Sequence, residues 1–198
     1  MIIDNFNIIS GLLDFSSSDI FYDLEIIRRG KDHPELKGCA NRQIKTYCIC
    51  QPEDLDNFKD EIIKICSVCG ARAYINVSPK SLQKTLLIQL SDLALRNLNK
   101  DYKCVWRSWN SAVGKNKGEV TRWVVDIDEK NEDKVKEVGD FINSLQPYEI
   151  TNKIVAKIPT FNGFHLITTA FRVDEFKRKF PEIDIQKNHL TLLYYEKI

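Results

Sequence analysis

Two aspartates stand two apart in the run Trp123-Val-Val-Asp-Ile-Asp128, so Asp126 and Asp128 point to the same face if that run is a strand. Side-by-side carboxylates repel each other and are costly to desolvate unless something positive lies between them, and a divalent cation is the usual answer. An Asp-x-Asp alone reads equally well as a solvated strand end, so two later stretches decide. Pro159-Thr-Phe-Asn-Gly-Phe-His-Leu-Ile-Thr168 supplies His165, and Pro181-Glu-Ile-Asp-Ile-Gln-Lys187 supplies a third carboxylate, Asp184. Three carboxylates around one cleft suit Mg²⁺ or Mn²⁺, hard cations that clamp phosphate oxygens for in-line phosphoryl or nucleotidyl transfer. His165 is open to three roles: metal ligand, satisfied core histidine, or donor to a triphosphate oxygen. Gly163, two residues earlier, allows the close backbone approach that a phosphate site uses.

These residues need elements to bring them together. Apolar periodicity gives strand 121–128, helix 132–145, strand 153–158, strand 164–168, helix 174–180 and strand 190–195. That order is β-α-β-β-α-β, the ferredoxin-like unit, whose first and third strands are central neighbours. His165 then comes beside Asp126 and Asp128, and Asp184 lies just before a last strand that flanks the first. Upstream, residues 1–41 read as a helical lead-in, with 20–27 as its main apolar helical patch, ending in a charged loop. Strand 44–50, helix 53–66 and strand 71–77 follow; on the last of these Arg72, Tyr74 and Asn76 share a polar face. Ser78-Pro79 then opens a helix carrying Leu82, Leu86, Leu90, Leu93 and Leu98. Residues 101–120, which include the glycine- and lysine-rich 114–118, connect the halves. The expected fold is α+β: an N-terminal α/β module (1–118) packed on a C-terminal RRM-like module (119–198), with the active site between them.

Composition bounds the partners. The 198 residues carry 29 basic and 28 acidic side chains, so any nucleotide or nucleic-acid contact needs a local patch. No apolar run is long enough for a membrane span and the N-terminus has no basic signal region, which points to a cytoplasmic protein without a membrane partner. The six cysteines at 39, 48, 50, 66, 69 and 104 then read as reduced thiols. Cys66-x-x-Cys69 has zinc spacing and Cys48-x-Cys50 could complete four thiolates, but small buried cysteines in a strand and a helix are the stronger reading, and structural zinc is not expected.

At Trp123–Asp128, Asn162–His165 and Ile183-Asp184 the chain resembles the archaeo-eukaryotic primase superfamily, including the primase-polymerases. That family's three motifs are an apolar run ending Asp-x-Asp, a small residue followed at the second position by histidine, and an apolar residue followed by an acid. The resemblance covers residues 42–198 in architecture and some fifteen residues in motif. It implies that Asp126, Asp128 and Asp184 bind the catalytic metals and that His165, with Gly163 and Asn162, holds the phosphates of an incoming NTP or dNTP. Arg72 and Lys187 are further nucleotide contacts on this reading. Lys115 and Lys117 would hold a single-stranded nucleic-acid template, and Trp106 and Trp109 would either stack its bases or, the stronger reading, pack at the junction of the halves. Further partners would be a helicase or an accessory replication subunit. The chain departs from relatives in having no zinc element, fused helicase or priming domain; it could elongate a primer yet need a partner to start one, or keep only nucleotide binding, so metal-dependent nucleotidyl transfer is better supported than de novo priming.

Other classes compete. A subunit that keeps nucleotide or nucleic-acid binding without catalysis would share the fold, and a metal-dependent nuclease uses similar carboxylates. His189-Leu-Thr191 is a His-x-Thr, of which 2H phosphoesterases carry two; the second copy would be His165-Leu-Ile167, which lacks the hydroxyl and is 24 residues away. An RRM-type RNA binder would carry aromatics where Asp126, Asp128 and His165 stand.

Overall fold

The computed structural model describes residues 1–34, 41–103 and 105–197, the Trp106 side chain excepted. Among these the chain is α+β with two antiparallel sheets. The first holds β1 (Ile2–Asp4), β2 (Ile20–Arg28), β3 (Arg42–Ile49), β4 (Arg72–Asn76) and β10 (Leu190–Glu196) in the order β1-β10-β4-β2-β3, with the short β5 (Lys80–Ser81) paired to β2. The second holds β6 (Trp123–Ile127), β7 (Ile154–Pro159), β8 (Phe164–Thr168) and β9 (Asp184–Lys187) in the order β7-β8-β6-β9. The helices are α1 (Phe6–Ser10), α2 (Pro52–Cys69), α3 (Leu82–Leu98), α4 (Ser108–Lys115), α5 (Glu132–Ser144) and α6 (Val173–Lys179).

Two sequence expectations need correction. Residues 20–27 are not helical. They form most of β2, which pairs with β3, β4 and β5. The spacing of Ile20, Leu24 and Ile27 imitates a helical stripe, but the segment is β-branched and aromatic, and Tyr22, Leu24 and Ile26 alternate into the core as a strand requires. Residues 190–195 do not close the second sheet. The flank of β6 is taken by β9, with Asp184 opposite Asp126, while β10 crosses to the first sheet and pairs with β1 and β4. The C-terminal strand thus ties residues 119–198 to the N-terminal module.

Local signals set the helix ends. Gln51 and Asp54 form a reciprocal capping box on α2, Pro52 opens its first turn and Gly70 ends it in the left-handed conformation at φ 56°. Asn131 accepts the backbone N–H of Asp133 and Lys134 at the start of α5. Leu55, Ile62 and Cys66 of α2 join Leu24, Ile26, Ala73 and Ile75 in one core, which also takes Val124, Ile158 and Ile167 from the second sheet. The opposite face of that sheet, with Trp123, Val125, Ile127 and Leu166, is covered by Val138 and Ile142 of α5 and Phe176 of α6. Even-numbered residues of β6 therefore face the first sheet and odd-numbered ones face the helices.

Of the six thiols, Cys39 and Cys104 lie outside the described residues. Cys66 is buried in the core, where desolvation, with the nearby Cys69, pushes its thiol up to about 12. Cys48 and Cys50 touch at 3.4 Å between sulfurs. Opposite Cys48 stands Asp23, only 7% exposed, whose carboxyl is pushed up to about 7 by burial and by the neighbouring Glu25, against the pull of Lys80. An unfolded aspartate titrates at about 3.9. Between about pH 4 and 7 the folded chain therefore keeps a proton that the unfolded chain has released, and this group's contribution to stability falls as pH rises through that window. Urea unfolding across the window is expected to show the fall in the wild type and its loss in Asp23→Asn; equal slopes in the two proteins would refute the assignment.

Among the described residues no helix is long and apolar enough to cross a membrane.

Candidate active site

Asp126 sits second from the end of β6, directly opposite His165 on β8 and Asp184 on β9. Cross-strand partners share a face, so all three belong to the side of the sheet that meets the first sheet. His165 Nε2 lies 3.4 Å from Asp126 Oδ1, and its Nδ1 lies 2.9 Å from Oγ1 of Thr191, a fully buried residue of β10. With Nε2–H directed at the carboxylate, Nδ1 is left to accept the threonine hydroxyl, so a residue from each sheet fixes the imidazole. Burial raises the Asp126 carboxyl, but the bond from His165 and the positive charges of Lys31 and Arg29 outweigh it, and the net shift is downward.

Asp126, Asp128, Asn162 and His165 line one side of a cleft of about 100 Å³, and Arg29, Lys31, Arg72 and Tyr74 line the other. The cleft continues past Arg29 and Tyr74 into a space of about 170 Å³ that reaches Gln186 and His189. In the other direction it passes Lys31, Arg72 and Phe161 into one of about 560 Å³ bounded by Tyr195 and Lys197. Carboxylates on one wall thus face cations on the other. Arg72 is held in place by two 2.7 Å bonds to Asp32 and lies 4.1 Å from the centre of the Tyr195 ring. Arg29 donates to the Tyr74 hydroxyl at 3.3 Å.

Several expected residues stand elsewhere. Lys187 pairs with Trp123 on the helix-covered face, its ammonium 4.5 Å from the centre of the indole, so it does not reach the cleft. Lys115 lies on α4 and pairs with Asp92 of α3 at 3.5 Å, Lys117 is exposed just beyond, and Trp109 packs on the buried Phe21 at 5.7 Å. The Trp106 side chain lies outside the described residues. Gly163 does permit a close approach, but to protein: a Cβ there would overlap the Ile127 carbonyl oxygen and stand 2.6 Å from the Glu129 amide nitrogen. Its role is to seat the β7–β8 turn against the end of β6, which positions Asp128.

Asp184 shares the ladder with Asp126, yet its carboxylate accepts from the Ile185 amide at 2.9 Å and from the Gln186 side chain at 2.8 Å. Among the described residues no group of three His, Cys, Asp or Glu side chains is gathered tightly enough to encage a metal ion. The donor set that lines the cleft is Asp126 and Asp128. This suits a Mg²⁺-type ion, which binds through one or two carboxylates and completes its shell with water and substrate phosphates.

Arg29, Lys31 and Phe161 carry no role in the sequence, and Thr191 stands out there only in its His-x-Thr, not as the partner of His165. The first two sit in Arg28-Arg29-Gly30-Lys31, a basic run that begins on the last residue of β2. Taking β2 as a strand with period two would have put Arg29 on the same face as Glu25 and Ile27, whose ladder partners are Tyr74 and Arg72. Compared with known proteins, the chain matches no protein-family model, no curated protein and no solved structure.

Proposed function

We propose that the chain is a metal-dependent nucleotidyltransferase of the primase-polymerase kind, extending strands or making primers on a single-stranded nucleic-acid template from NTPs or dNTPs. On this reading residues 119–187 form an RRM-like, ferredoxin-like unit, and the active site lies between it and the N-terminal sheet. One observation carries the proposal: the carboxylates of Asp126 and Asp128, beside an imidazole held from both ends, face Arg29 and Lys31 across a narrow cleft. A nucleoside triphosphate with its divalent ion needs both walls, since its phosphates are anionic and its metal is cationic.

In this mechanism Arg29 and Lys31 bind the β- and γ-phosphates, and Arg72, fixed by Asp32, presents its remaining N–H groups to the same chain. His165 would turn its one Nε2–H from the Asp126 carboxylate to a phosphate oxygen, while the bond from Thr191 to Nδ1 keeps the ring in place. Asp126 and Asp128 would hold Mg²⁺ or Mn²⁺, which would supply charge stabilisation at the phosphates and the attacking hydroxyl. The aromatic and basic stretch past Phe161 and Lys197 offers the adjoining strand a stacking surface flanked by cations.

The test is incorporation of labelled nucleotides on a single-stranded template with Mn²⁺ or Mg²⁺, with and without a primer. Product that depends on metal supports the reading, and product without primer makes the chain a primase. Degradation of the labelled strand would make it a nuclease, and metal-independent phosphoesterase activity would revive the two-histidine reading. Nucleotide binding without product would leave a non-catalytic subunit of a replication complex. Arg29→Ala, which removes a phosphate-wall cation, is expected to raise KM for the nucleotide about tenfold with a smaller change in kcat, the signature of lost ground-state binding. An unchanged KM would remove Arg29 from the phosphate wall.

A further inference from the structure

Helix α3 is built inside out. Its face toward α4 is polar: the Thr85 hydroxyl donates to the Ser81 carbonyl at 2.8 Å and accepts from Asn116 at 2.8 Å. Gln89 donates to the Ser108 hydroxyl at 3.0 Å, and Asp92 accepts from Arg96 at 2.7 Å and pairs with Lys115 at 3.5 Å. Thr85 is the helix's buried residue. The outward face is leucine-rich: Leu86, Leu87, Leu90, Leu95 and Leu98 are 44%, 60%, 63%, 57% and 77% exposed. Leu86, Leu90, Ala94 and Leu98 fall on one i, i+4 row and Leu87, Ser91 and Leu95 on the next, the paired ridges by which one helix packs on another. A surface helix ordinarily turns such a stripe to the core and its polar residues to water. Contiguous exposed apolar surface of this kind marks an interaction site.

Charge selects the occupant. Between Lys84 and Lys117 the chain has seven basic and two acidic side chains. Both acids are already engaged, Asp92 as above and Asp101 with Arg96 at 3.3 Å. Lys84 at the start of the stripe and Lys100 and Lys103 beyond its end are exposed. A second copy of this chain fits poorly. Antiparallel pairing about the middle of the Leu86–Leu98 row sets Lys84 of one copy against Lys100 of the other, and parallel pairing sets each lysine against itself. We propose that α3 is the docking face for an acidic amphipathic helix of a partner protein, its leucine-type residues seated between the two ridges and its carboxylates meeting Lys84, Lys100 and Lys103. The proposal does not depend on the catalytic reading.

Two fluorescein-labelled synthetic helical peptides with the same leucine spacing test it, one with glutamate and one with lysine at the polar positions. Anisotropy titration against the full chain is expected to show the glutamate peptide binding at least about tenfold more tightly, with affinity falling as salt rises. Leu87→Ser/Leu90→Ser is expected to abolish that binding without lowering the melting temperature, because both side chains are exposed. Lys84→Glu/Lys100→Glu is expected to reverse the preference between the peptides. Equal affinity for the two peptides, or no binding of either, would overturn the proposal. So would a wild-type dimer in sedimentation that Leu90→Ser converts to monomer, or binding to anionic phosphatidylserine vesicles in preference to the glutamate peptide.

Discussion

Asp126→Asn is expected to reduce metal-dependent nucleotide incorporation by about a thousandfold or more while leaving the chain folded. The side chain keeps its shape and loses its charge, so the effect isolates electrostatics. Asp126 occupies the middle of its site: His165 is opposite on one side, Asp184 opposite on the other, and Arg29 and Lys31, on the turn that follows β2, add positive charge beside it. Its carboxylate is held ionised by those neighbours, so at neutral pH it offers a full negative charge to a cation. Metal-assisted stabilisation of a phosphoryl transition state is worth several kcal/mol, and each ~1.4 kcal/mol is about tenfold in rate. Thermal unfolding supplies the control. Asparagine can still accept from His165 Nε2, which lies 3.4 Å from the Asp126 oxygen, so no buried donor is left unpaired and the melting temperature should move little. Incorporation within a few-fold of wild type in Asp126→Asn, at saturating Mg²⁺ or Mn²⁺, would sink the nucleotidyltransferase reading. Asp128→Asn, on the same cleft wall, is expected to behave alike.

The second sheet is legible in the sequence because its signals are local. Trp123–Ile127 and Phe164–Thr168 are compact runs rich in β-branched and aromatic residues, the intervening helix has its cap at Asn131, and the order of elements makes β6 and β8 neighbours. Given that, the adjacency of Asp126 and His165 follows from strand parity. What the sequence hides is decided by tertiary competition. Residues Leu190–Glu196 have the composition of a closing strand, but two strand edges want them, and the first sheet, with β1 and β4 on either side, offers two ladders where β6 offers one. The four-residue β9 is left to flank β6. The same displacement explains Thr191: only a β10 lodged in the first sheet brings its hydroxyl to His165. Lys187 stands three residues beyond Asp184, and an odd separation on a strand reverses the face, which puts it on Trp123. Arg29 and Lys31 become readable only once residues 20–28 are recognised as a strand, and the apolar spacing there satisfies both periods.

Gly163→Ala is expected to destabilise the fold by about 3 kcal/mol, near the upper end for inserting one carbon into a packed site. The cost is steric. Gly163 does not stand in the left-handed region, so alanine could adopt its backbone angles, but the added Cβ would overlap the Ile127 carbonyl oxygen and lie 2.6 Å from the Glu129 nitrogen and 3.0 Å from its oxygen. All of these are backbone atoms, and none can rotate away as a side chain could. Relief requires lifting the turn between β7 and β8, which is otherwise pinned by the Thr160 amide on the Gly163 carbonyl at 2.9 Å and the Gly163 amide on the Thr160 hydroxyl at 3.0 Å. For a chain of this length, ~3 kcal/mol corresponds to a fall in melting temperature of roughly 6–12 °C. Gly114→Ala is the matched control: it lies in α4, its Cβ would meet nothing within 4 Å, and replacing a helical glycine there is expected to stabilise by up to about 1 kcal/mol. Opposite signs for the two glycines, read from calorimetry on both variants, would establish that Gly163 is retained for its approach to β6. Because Asp128 follows Ile127 directly and His165 lies two residues beyond Gly163, lifting that turn also moves a carboxylate away from an imidazole. Whatever activity Gly163→Ala retains below its own melting temperature should therefore fall further than the folded fraction alone accounts for.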